Sequence, residues 1–136
     1  MNAYSDLVRD HFENPRNAGE LAQADATGFQ TNPACGDTMR LTLRIEGGRV
    51  AEARFQSSGC PAAIAAGSVC TEMIRGLTLD EAEALGREDY AAALGGLPPG
   101  KLHCSVLAAD TVRAAAADYR LRAEQRPGGG PSGPSP

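Results

Sequence analysis

Hydrophobic and polar residues alternate strictly from residue 38 to residue 46, and this pattern is typical of a half-buried β-strand. One face carries the apolar residues Met39, Leu41, Leu43 and Ile45, and the other carries Thr38, Arg40, Thr42, Arg44 and Glu46. The pair Gly47-Gly48 then predicts a tight hairpin turn. A second alternating strand follows, with Ala51, Ala53 and Phe55 on its apolar face. Ala26 to Thr31 is a weaker candidate for a third strand.

Helical spacing of apolar residues dominates both sides of this predicted sheet. Tyr4, Leu7, Val8 and Phe12 indicate a short helix from Ala3 to Phe12, which Asn14-Pro15-Arg16-Asn17 would end. After the sheet, alanine-rich stretches predict helices at 61–75, 79–85, 88–94 and about 103–125. Thr78-Leu79-Asp80-Glu81 has the form of a capping box, and Gly76 stands where the preceding helix should end. The predicted fold is therefore α+β, with a small three-stranded antiparallel sheet packed against a layer of helices.

The composition fits one domain followed by a tail. The chain of 136 residues is too short for a second core of ordinary size. Residues 1–126 are predicted to form the domain. The Pro/Gly/Ser-rich segment 127–136 has no residue that could bury apolar surface, so it is predicted to be disordered.

The charge balance and hydropathy of the chain exclude some classes of partner and indicate a cellular compartment. Thirteen Lys and Arg residues against seventeen Asp and Glu residues give no cationic surplus for nucleic acid or an anionic membrane. The first residues resemble no secretory signal, and no apolar run is long enough to cross a bilayer. We therefore expect a cytoplasmic protein, in which cysteines are available for metal or sulfur chemistry.

Three of the four cysteines stand at junctions between predicted elements. Cys35 follows Asn32-Pro33-Ala34, Cys60 directly precedes Pro61, and Cys104 lies near the start of the last helix. Proline is favoured at the first helical position, so Cys60 is predicted at or next to the N-cap, where the helix dipole favours a thiolate. Cys104 has the same predicted setting. Thiolates bind soft metals and attack sulfur, and both activities would suit these positions.

These three loops would form one site if they meet at one end of the domain. Asp37 and His103 would then add a carboxylate and an imidazole, giving five potential donors. A closed structural zinc site needs only four, so the mixed surplus favours a site that exchanges ligands or holds a labile cluster. No C-x-x-C pair is present, which argues against a zinc ribbon or a thioredoxin-like site.

Several cysteine, histidine and aspartate residues also fit simpler roles than metal binding. Isolated cysteines in a cytosolic protein are commonly small buried hydrophobes, and Cys70, within an apolar helix, is interpreted that way. His11 lies between charged residues and is predicted to be on the surface. Asp37 equally fits a turn residue after Gly36.

Several separate motifs closely resemble the U-type iron–sulfur cluster assembly scaffold family, which includes IscU and the NifU amino-terminal domain. The resemblance spans residues 3 to about 122, and the motifs occur in family order with family-like spacing. The motifs are Ala3-Tyr4-Ser5, Asn14-Pro15-Arg16-Asn17, Asn32-Pro33-Ala34-Cys35-Gly36-Asp37, Gly59-Cys60 with Thr71-Glu72, and Leu97-Pro98-Pro99-Gly100-Lys101-Leu102-His103-Cys104-Ser105.

This resemblance implies a carrier on which a [2Fe–2S] cluster is built from iron and persulfide sulfur and then passed to apo-acceptor proteins. It implies that Cys35, Cys60 and Cys104 are cluster ligands and that His103 is a further or alternate ligand. Asp37 would keep the cluster labile, Cys104 would accept the persulfide, and zinc could occupy the same site. The implied partners are a cysteine desulfurase, an Hsp70/J-type chaperone pair, an iron-delivery protein and the acceptors, with the scaffold itself a monomer or homodimer.

The segment Leu97, Pro98, Pro99, Gly100, Lys101 resembles the one that a specialised Hsp70 chaperone recognises. A Pro-Pro pair is already extended and loses little entropy on docking. Gly100 departs from the valine that is common in the family and supplies no side chain for a pocket. The segment would alternatively serve only as the linker into the last helix.

Two other functions compete with the scaffold. The first is a zinc-dependent sulfurtransferase of the related SufU type. That branch generally carries an insertion between the second and third cysteines and lacks the histidine before the third, whereas this chain is compact there and has His103. The second is a structural zinc module, which the five-donor set disfavours.

Overall fold

The computed structural model describes residues 4–33 and 36–125. Among the predicted features, Cys35 and the segment 127–136 lie outside the described residues. The elements are α1 (Asp6–Glu13), β1 (Ala26–Thr31), β2 (Thr38–Glu46), β3 (Arg49–Ser58), α2 (Pro61–Ile74), α3 (Leu79–Ala84), α4 (Arg87–Ala93), a 3-10 turn (Pro99–Lys101) and α5 (His103–Gln125).

The three strands form one antiparallel sheet in the order β1-β2-β3, as the sequence predicts. Gly47 and Gly48 both have positive φ and make the turn between β2 and β3. A bulge near Arg44 and Ile45 shifts the register of this pair by one residue, so that Thr38 faces Ser58. The residues immediately beyond these strand ends are therefore neighbours.

The helices cover the apolar face of the sheet, which confirms the α+β class. Helix α2 packs on β3 and on α1, while α5 packs on β1 and β2. Gly28 of β1 permits the close approach of α5, because a Cβ there would lie 2.4 Å from the carbonyl oxygen of Thr111. The core between sheet and helices is mostly aliphatic, and Tyr90 is its largest fully buried side chain.

Local signals set several of the helix boundaries. The Ser5 hydroxyl accepts the N–H of Val8 and caps α1, which begins at Asp6. Thr78 and Glu81 form the predicted capping box at the start of α3. The 3-10 turn at Pro99–Lys101 was not predicted, although Pro98 before it is extended, with φ −57° and ψ 149°.

Helix α5 is the longest element, with 23 residues. Small residues such as Ala108, Ala115 and Ala116 are fully buried in it and let it lie close to the sheet. Within the described ranges, no helix has both the length and the apolar character needed to cross a membrane.

The outer face of the sheet is less exposed than the alternation predicts. Thr42 is predicted on the polar face, but it is buried. The segment before β1 covers it, and the Thr42 hydroxyl accepts the N–H of Leu21 from that segment. On β3, Ala51 is predicted to face the core, but Val50 is the buried residue. The bulge changes which residues of β3 face inward. The pattern predicts the strands correctly but misses this covering segment and the bulge.

His11 is buried, which contradicts its predicted surface position. Its Nδ1 lies 2.8 Å from the Ser68 hydroxyl of α2, and its Nε2 lies 3.8 Å from a Glu72 carboxylate oxygen. Ser68 also accepts the backbone N–H of Arg16. His11 therefore joins α1 to α2 instead of facing solvent.

Candidate metal site

Asp37 is placed by the loop that leads into β2. Its carbonyl accepts the N–H of Asn32, and the Asn32 carbonyl accepts the N–H of Gly36. Because Thr38 pairs with Ser58, Asp37 lies beside Gly59 and Cys60 at the end of β3. Its side chain is buried, so it is more than an exposed turn residue.

Cys60 is the N-cap of α2, and Pro61 occupies the first helical position, as the sequence predicts. The Cys60 side chain makes no capping hydrogen bond to the helix backbone. The residue is partly exposed. This leaves the sulfur free to interact with groups outside its own helix.

His103 and Cys104 are the first two residues of α5. Cys104 is fully buried, while the His103 side chain is about 30% exposed. The segment 94–102 brings the chain back from α4 to this point. The start of α5 therefore meets the start of α2 and the start of β2.

Asp37 lies at the centre of the cluster formed by these side chains. Its Oδ2 lies 3.7 Å from Cys60 Sγ, 4.0 Å from Cys104 Sγ and 3.5 Å from His103 Nε2. The two sulfur atoms are 3.7 Å apart. One donor atom each from Asp37, His103 and Cys104 lies within 4.8 Å of the others. The structure thus brings together four of the five predicted donors.

These donors suit a transition-metal ion or an iron–sulfur cargo. Thiolate sulfur and imidazole nitrogen bind zinc and iron well, and the carboxylate is a harder and weaker partner. The buried Nε2 of His103 makes no hydrogen bond to any described residue although it points toward Asp37. A buried ring nitrogen without a hydrogen bond is costly, and coordination of a metal would satisfy it.

Burial and the position at a helix start have opposite effects on the pKa of Cys104. Desolvation raises the pKa of Cys104 far above its ordinary value, and the nearby Cys60 and Asp37 raise it further. Cys104 lies at the start of α5 as expected, but its burial opposes the thiolate that a helix start favours. A metal would restore it, since a coordinated thiol loses its proton.

Lys101 supplies positive charge to the site, a role that the sequence reasoning did not assign. Cys60 contributes most to the raised pKa of the Lys101 ammonium, followed by Tyr4, and Cys104 and Asp37 contribute less. In turn, Lys101 opposes the rise in the pKa of Cys104. The proline-rich segment that ends at Lys101 thus borders the candidate metal site.

Cys70 lies away from this cluster, as predicted. It is fully buried in α2 next to the hydroxyl of Tyr90, and burial raises its pKa to about 12. It remains a neutral thiol at physiological pH and is part of the core.

A surface cavity of about 220 Å³ borders the candidate metal site on the His103 side. Its walls come from the end of β1 and the loop after it, including Thr31, and from α5, where His103 and Asp110 contribute. The cavity leaves one side of the imidazole open to small solutes.

Comparison with known proteins places these features in a family context. Residues 3–126 match the model of the NifU-like N terminal domain. The chain is 50% identical over 116 residues to "Iron-sulfur cluster assembly scaffold protein IscU 1" of Archaeoglobus fulgidus, covering 85% of this chain and 76% of that protein. It is 44% identical over 127 residues to "Iron-sulfur cluster assembly enzyme IscU" of Drosophila melanogaster, covering 90% of this chain and 82% of that one.

Solved structures show the same fold. A crystal structure of an iron–sulfur cluster assembly scaffold protein for the SUF system, from Fervidobacterium islandicum, superimposes with a TM-score of 0.69. The alignment covers 84% of this chain and 96% of that one at 23% identity. At this identity the comparison supports the fold alone.

Proposed function

Since the chain belongs to the family of NifU-like N-terminal domains, we propose that it is a scaffold for building iron–sulfur clusters. Iron and persulfide-derived sulfur would assemble a labile [2Fe–2S] cluster at the candidate metal site. The finished cluster would then pass to apo-acceptor proteins. The chain would act as a carrier, so the amount of cluster formed would be limited by the amount of scaffold.

The observation that carries this proposal is the mixed donor set around Asp37. Asp37, Cys60, His103 and Cys104 converge from three different elements, and one of these donors is an oxygen that binds iron less tightly than a thiolate does. Such a site holds a cluster and also releases it. A closed structural zinc site has no need of a weak, exchangeable donor.

Within this proposal, each residue has a specific role. Cys35, Cys60 and Cys104 are the thiolate ligands, with His103 as a further or alternate ligand. Cys104 accepts the persulfide sulfur. Asp37 provides the exchangeable oxygen, and its contacts with the Cys60 and Cys104 thiols support that assignment. Zinc competes with iron for the same donors.

The proposed partners follow from the same function. A cysteine desulfurase supplies sulfur, an iron-delivery protein supplies iron and apo-proteins take the cluster, all in the cytoplasm. An Hsp70/J-type chaperone pair would recognise Leu97, Pro98, Pro99, Gly100 and Lys101 to promote release. Lys101 lies beside the sulfur ligands, so a chaperone that displaced the segment would also disturb the candidate metal site. This position supports the proposed role of the segment in release.

The test is anaerobic incubation of the purified protein with iron(II), cysteine and a cysteine desulfurase, followed by addition of an apo-ferredoxin. We expect a [2Fe–2S] absorption spectrum that builds up in the wild type and decays as the ferredoxin matures. Serine variants of Cys35, Cys60 and Cys104 should not build it, while Cys70→Ser should behave as the wild type. A cluster that forms equally well in all variants would contradict the proposed site.

The second candidate is a zinc-dependent sulfurtransferase of the SufU type. The close contact between Cys60 and Cys104 favours it, because sulfur could pass directly between the two thiols. In the same experiment this function gives a persulfide on the protein, retained zinc and no visible cluster. The two functions are therefore distinguished by one spectrum and one metal analysis.

A further inference from the structure

Two thiols in the candidate metal site are close enough to react with each other. The Sγ atoms of Cys60 and Cys104 are 3.7 Å apart, and a disulfide requires about 2.05 Å. Cys60 is at an N-cap and makes no capping hydrogen bond, so its own helix does not hold the side chain away from Cys104. Among the described cysteines, only Cys70 lies elsewhere, buried in the core.

Delivery of sulfur to a cluster requires a reduction, and two thiols in contact could carry it out. The outer sulfur of a persulfide is at the level of elemental sulfur, whereas a cluster needs sulfide, which has two more electrons. A thiol that attacks the inner sulfur of a persulfide releases sulfide and forms a disulfide. With a second thiol in contact with the persulfide-bearing one, the two cysteine sulfurs together provide the two electrons, one each, as the disulfide forms.

We propose that Cys60 is a resolving thiol, which releases sulfide from a persulfide on Cys104 by forming a disulfide with it. The Cys60 thiolate attacks Cys104 Sγ, and the bond between that atom and the outer sulfur breaks. The outer sulfur leaves with the bonding electron pair as HS⁻, so it is reduced by two electrons. Each cysteine sulfur is oxidised by one electron, and a dithiol reductant restores both thiols for the next cycle.

The surroundings of the pair fit this division of roles. Cys104 is fully buried, so a persulfide on it is shielded from thiols in solution, whereas the partly exposed Cys60 is already in contact. Asp37 Oδ2 accepts a hydrogen bond from either thiol and holds the two side chains on the same side of the site.

The experiment uses the full chain carrying Cys70→Ser, because trypsin cleavage after Arg54 and Arg75 leaves Cys60 and Cys70 on the same peptide. The metal-free protein is loaded with sulfur by a resin-bound cysteine desulfurase and L-cysteine, then desalted without reductant. Released sulfide and intact protein mass are followed over time. We expect about one sulfide per persulfide initially bound, with a disulfide between the Cys60 and Cys104 peptides.

The Cys60→Ser variant in the same background separates this role from the loading step on which it depends. It should keep the mass of one added sulfur atom on the Cys104 peptide and release sulfide at least tenfold more slowly. A second sample with all four native cysteines shows whether Cys70→Ser itself changes the rate, which we expect to be unaltered.

Once sulfur has been loaded, three results would overturn the inference. One is a persulfide that persists on Cys104 while Cys60 is intact, and another is equally fast sulfide release from Cys60→Ser. The third is a disulfide that links Cys104 to the Cys35 peptide. If no variant takes up sulfur at all, the proposed function fails at the loading step and the resolving role fails with it.

Discussion

Gly59 leaves the space that the Asp37 carboxylate occupies. A Cβ at Gly59 would lie 2.3 Å from Asp37 Oδ1, and the Gly59 φ of +149° is one that L side chains rarely adopt. The glycine is therefore required both by the backbone at the end of β3 and by the position of the carboxylate.

We predict that Gly59→Ala weakens metal binding because it displaces Asp37. The zinc affinity, measured by competition with a chromophoric chelator, should fall by about tenfold or more. The backbone strain should also lower the free energy of unfolding by about 1–3 kcal/mol. Gly48→Ala is the control, since Gly48 has a φ of +77° but nothing within 4 Å of its added Cβ. An equal loss of zinc affinity in both variants would show that the clash with Asp37 is not the cause.

Asp37→Ala is predicted to slow the loss of an assembled cluster. The substitution removes the weak oxygen donor and with it a path for ligand exchange. The measurement is the decay of visible absorption under anaerobic conditions with a competing chelator present. Asp110→Ala serves as the matched control, because Asp110 lies on α5 near His103 but is half exposed and pairs with Arg113. Unchanged or faster decay in Asp37→Ala would remove Asp37 from this role.

The sequence predicts the residue types of the candidate metal site, but it predicts their arrangement only in part. Pro61 after Cys60 marks a helix start, and the structure confirms it. The approach of Asp37 to Gly59 depends on the register of the β2–β3 hairpin, which the bulge near Arg44 shifts by one residue. No alternation pattern reports such a bulge, so the sequence indicates that these donors could meet but not how.

At the scale of elements, the contact between α1 and α2 depends on one buried polar pair. The Ser68 hydroxyl lies 2.8 Å from His11 Nδ1 and accepts the Arg16 N–H at 2.9 Å. Both Ser68 and His11 are buried. The first helix is held to the domain by this network as well as by the apolar contact of Val8.

We predict that Ser68→Ala destabilises the protein by about 1–3 kcal/mol, because it removes the hydrogen-bond partner of the buried His11 Nδ1 and of the partly buried Arg16 N–H. Urea unfolding followed by far-UV circular dichroism gives the free energy. Ser57→Ala is the comparison, since Ser57 makes a single hydrogen bond to the Thr38 carbonyl and is only partly buried. The prediction fails if the two alanine variants lose the same stability.

The same network predicts a pH dependence. Burial lowers the pKa of His11 below 6.5, and the charge of Arg16 lowers it further. Between this lowered pKa of the folded state and the unfolded value of about 6.5, the unfolded chain binds a proton that the folded chain does not. The free energy of unfolding should therefore fall with decreasing pH by at most about 1.4 kcal/mol per pH unit.

His11→Asn identifies the source of this dependence, because asparagine keeps a short polar side chain but does not titrate. Its unfolding free energy between pH 7.5 and pH 5.5 should vary less than that of the wild type. If the wild type and the variant lose stability in parallel, other groups cause the effect.

The elements themselves were largely predictable, and the exceptions share a physical cause. The pattern correctly predicted three strands, the capped α3 and the long α5. It misplaced His11 and Thr42, because both are polar residues buried by a chain segment distant in sequence. Periodicity reports the polarity of a face, and it carries no information about a polar partner that arrives from elsewhere.

The candidate metal site connects elements that are far apart in the chain. Asp37 precedes β2, Cys60 begins α2, and His103 and Cys104 begin α5. A metal ion bound here links the sheet to both long helices. Because the donors converge only when these elements are packed, metal binds the folded state and stabilises it.

We predict that zinc raises the thermal stability of the protein. At a free zinc concentration one hundred times the dissociation constant, the stabilisation should be about 2.7 kcal/mol, and addition of EDTA should reverse it. Thermal unfolding with and without zinc is the measurement. Cys60→Ser and Asp37→Ala should show a much smaller shift in Tm, while Cys70→Ser, whose sulfur lies in the core, should keep the full shift. If zinc stabilised all four proteins equally, it would bind outside the candidate metal site, and the coupling between that site and the fold would be disproved.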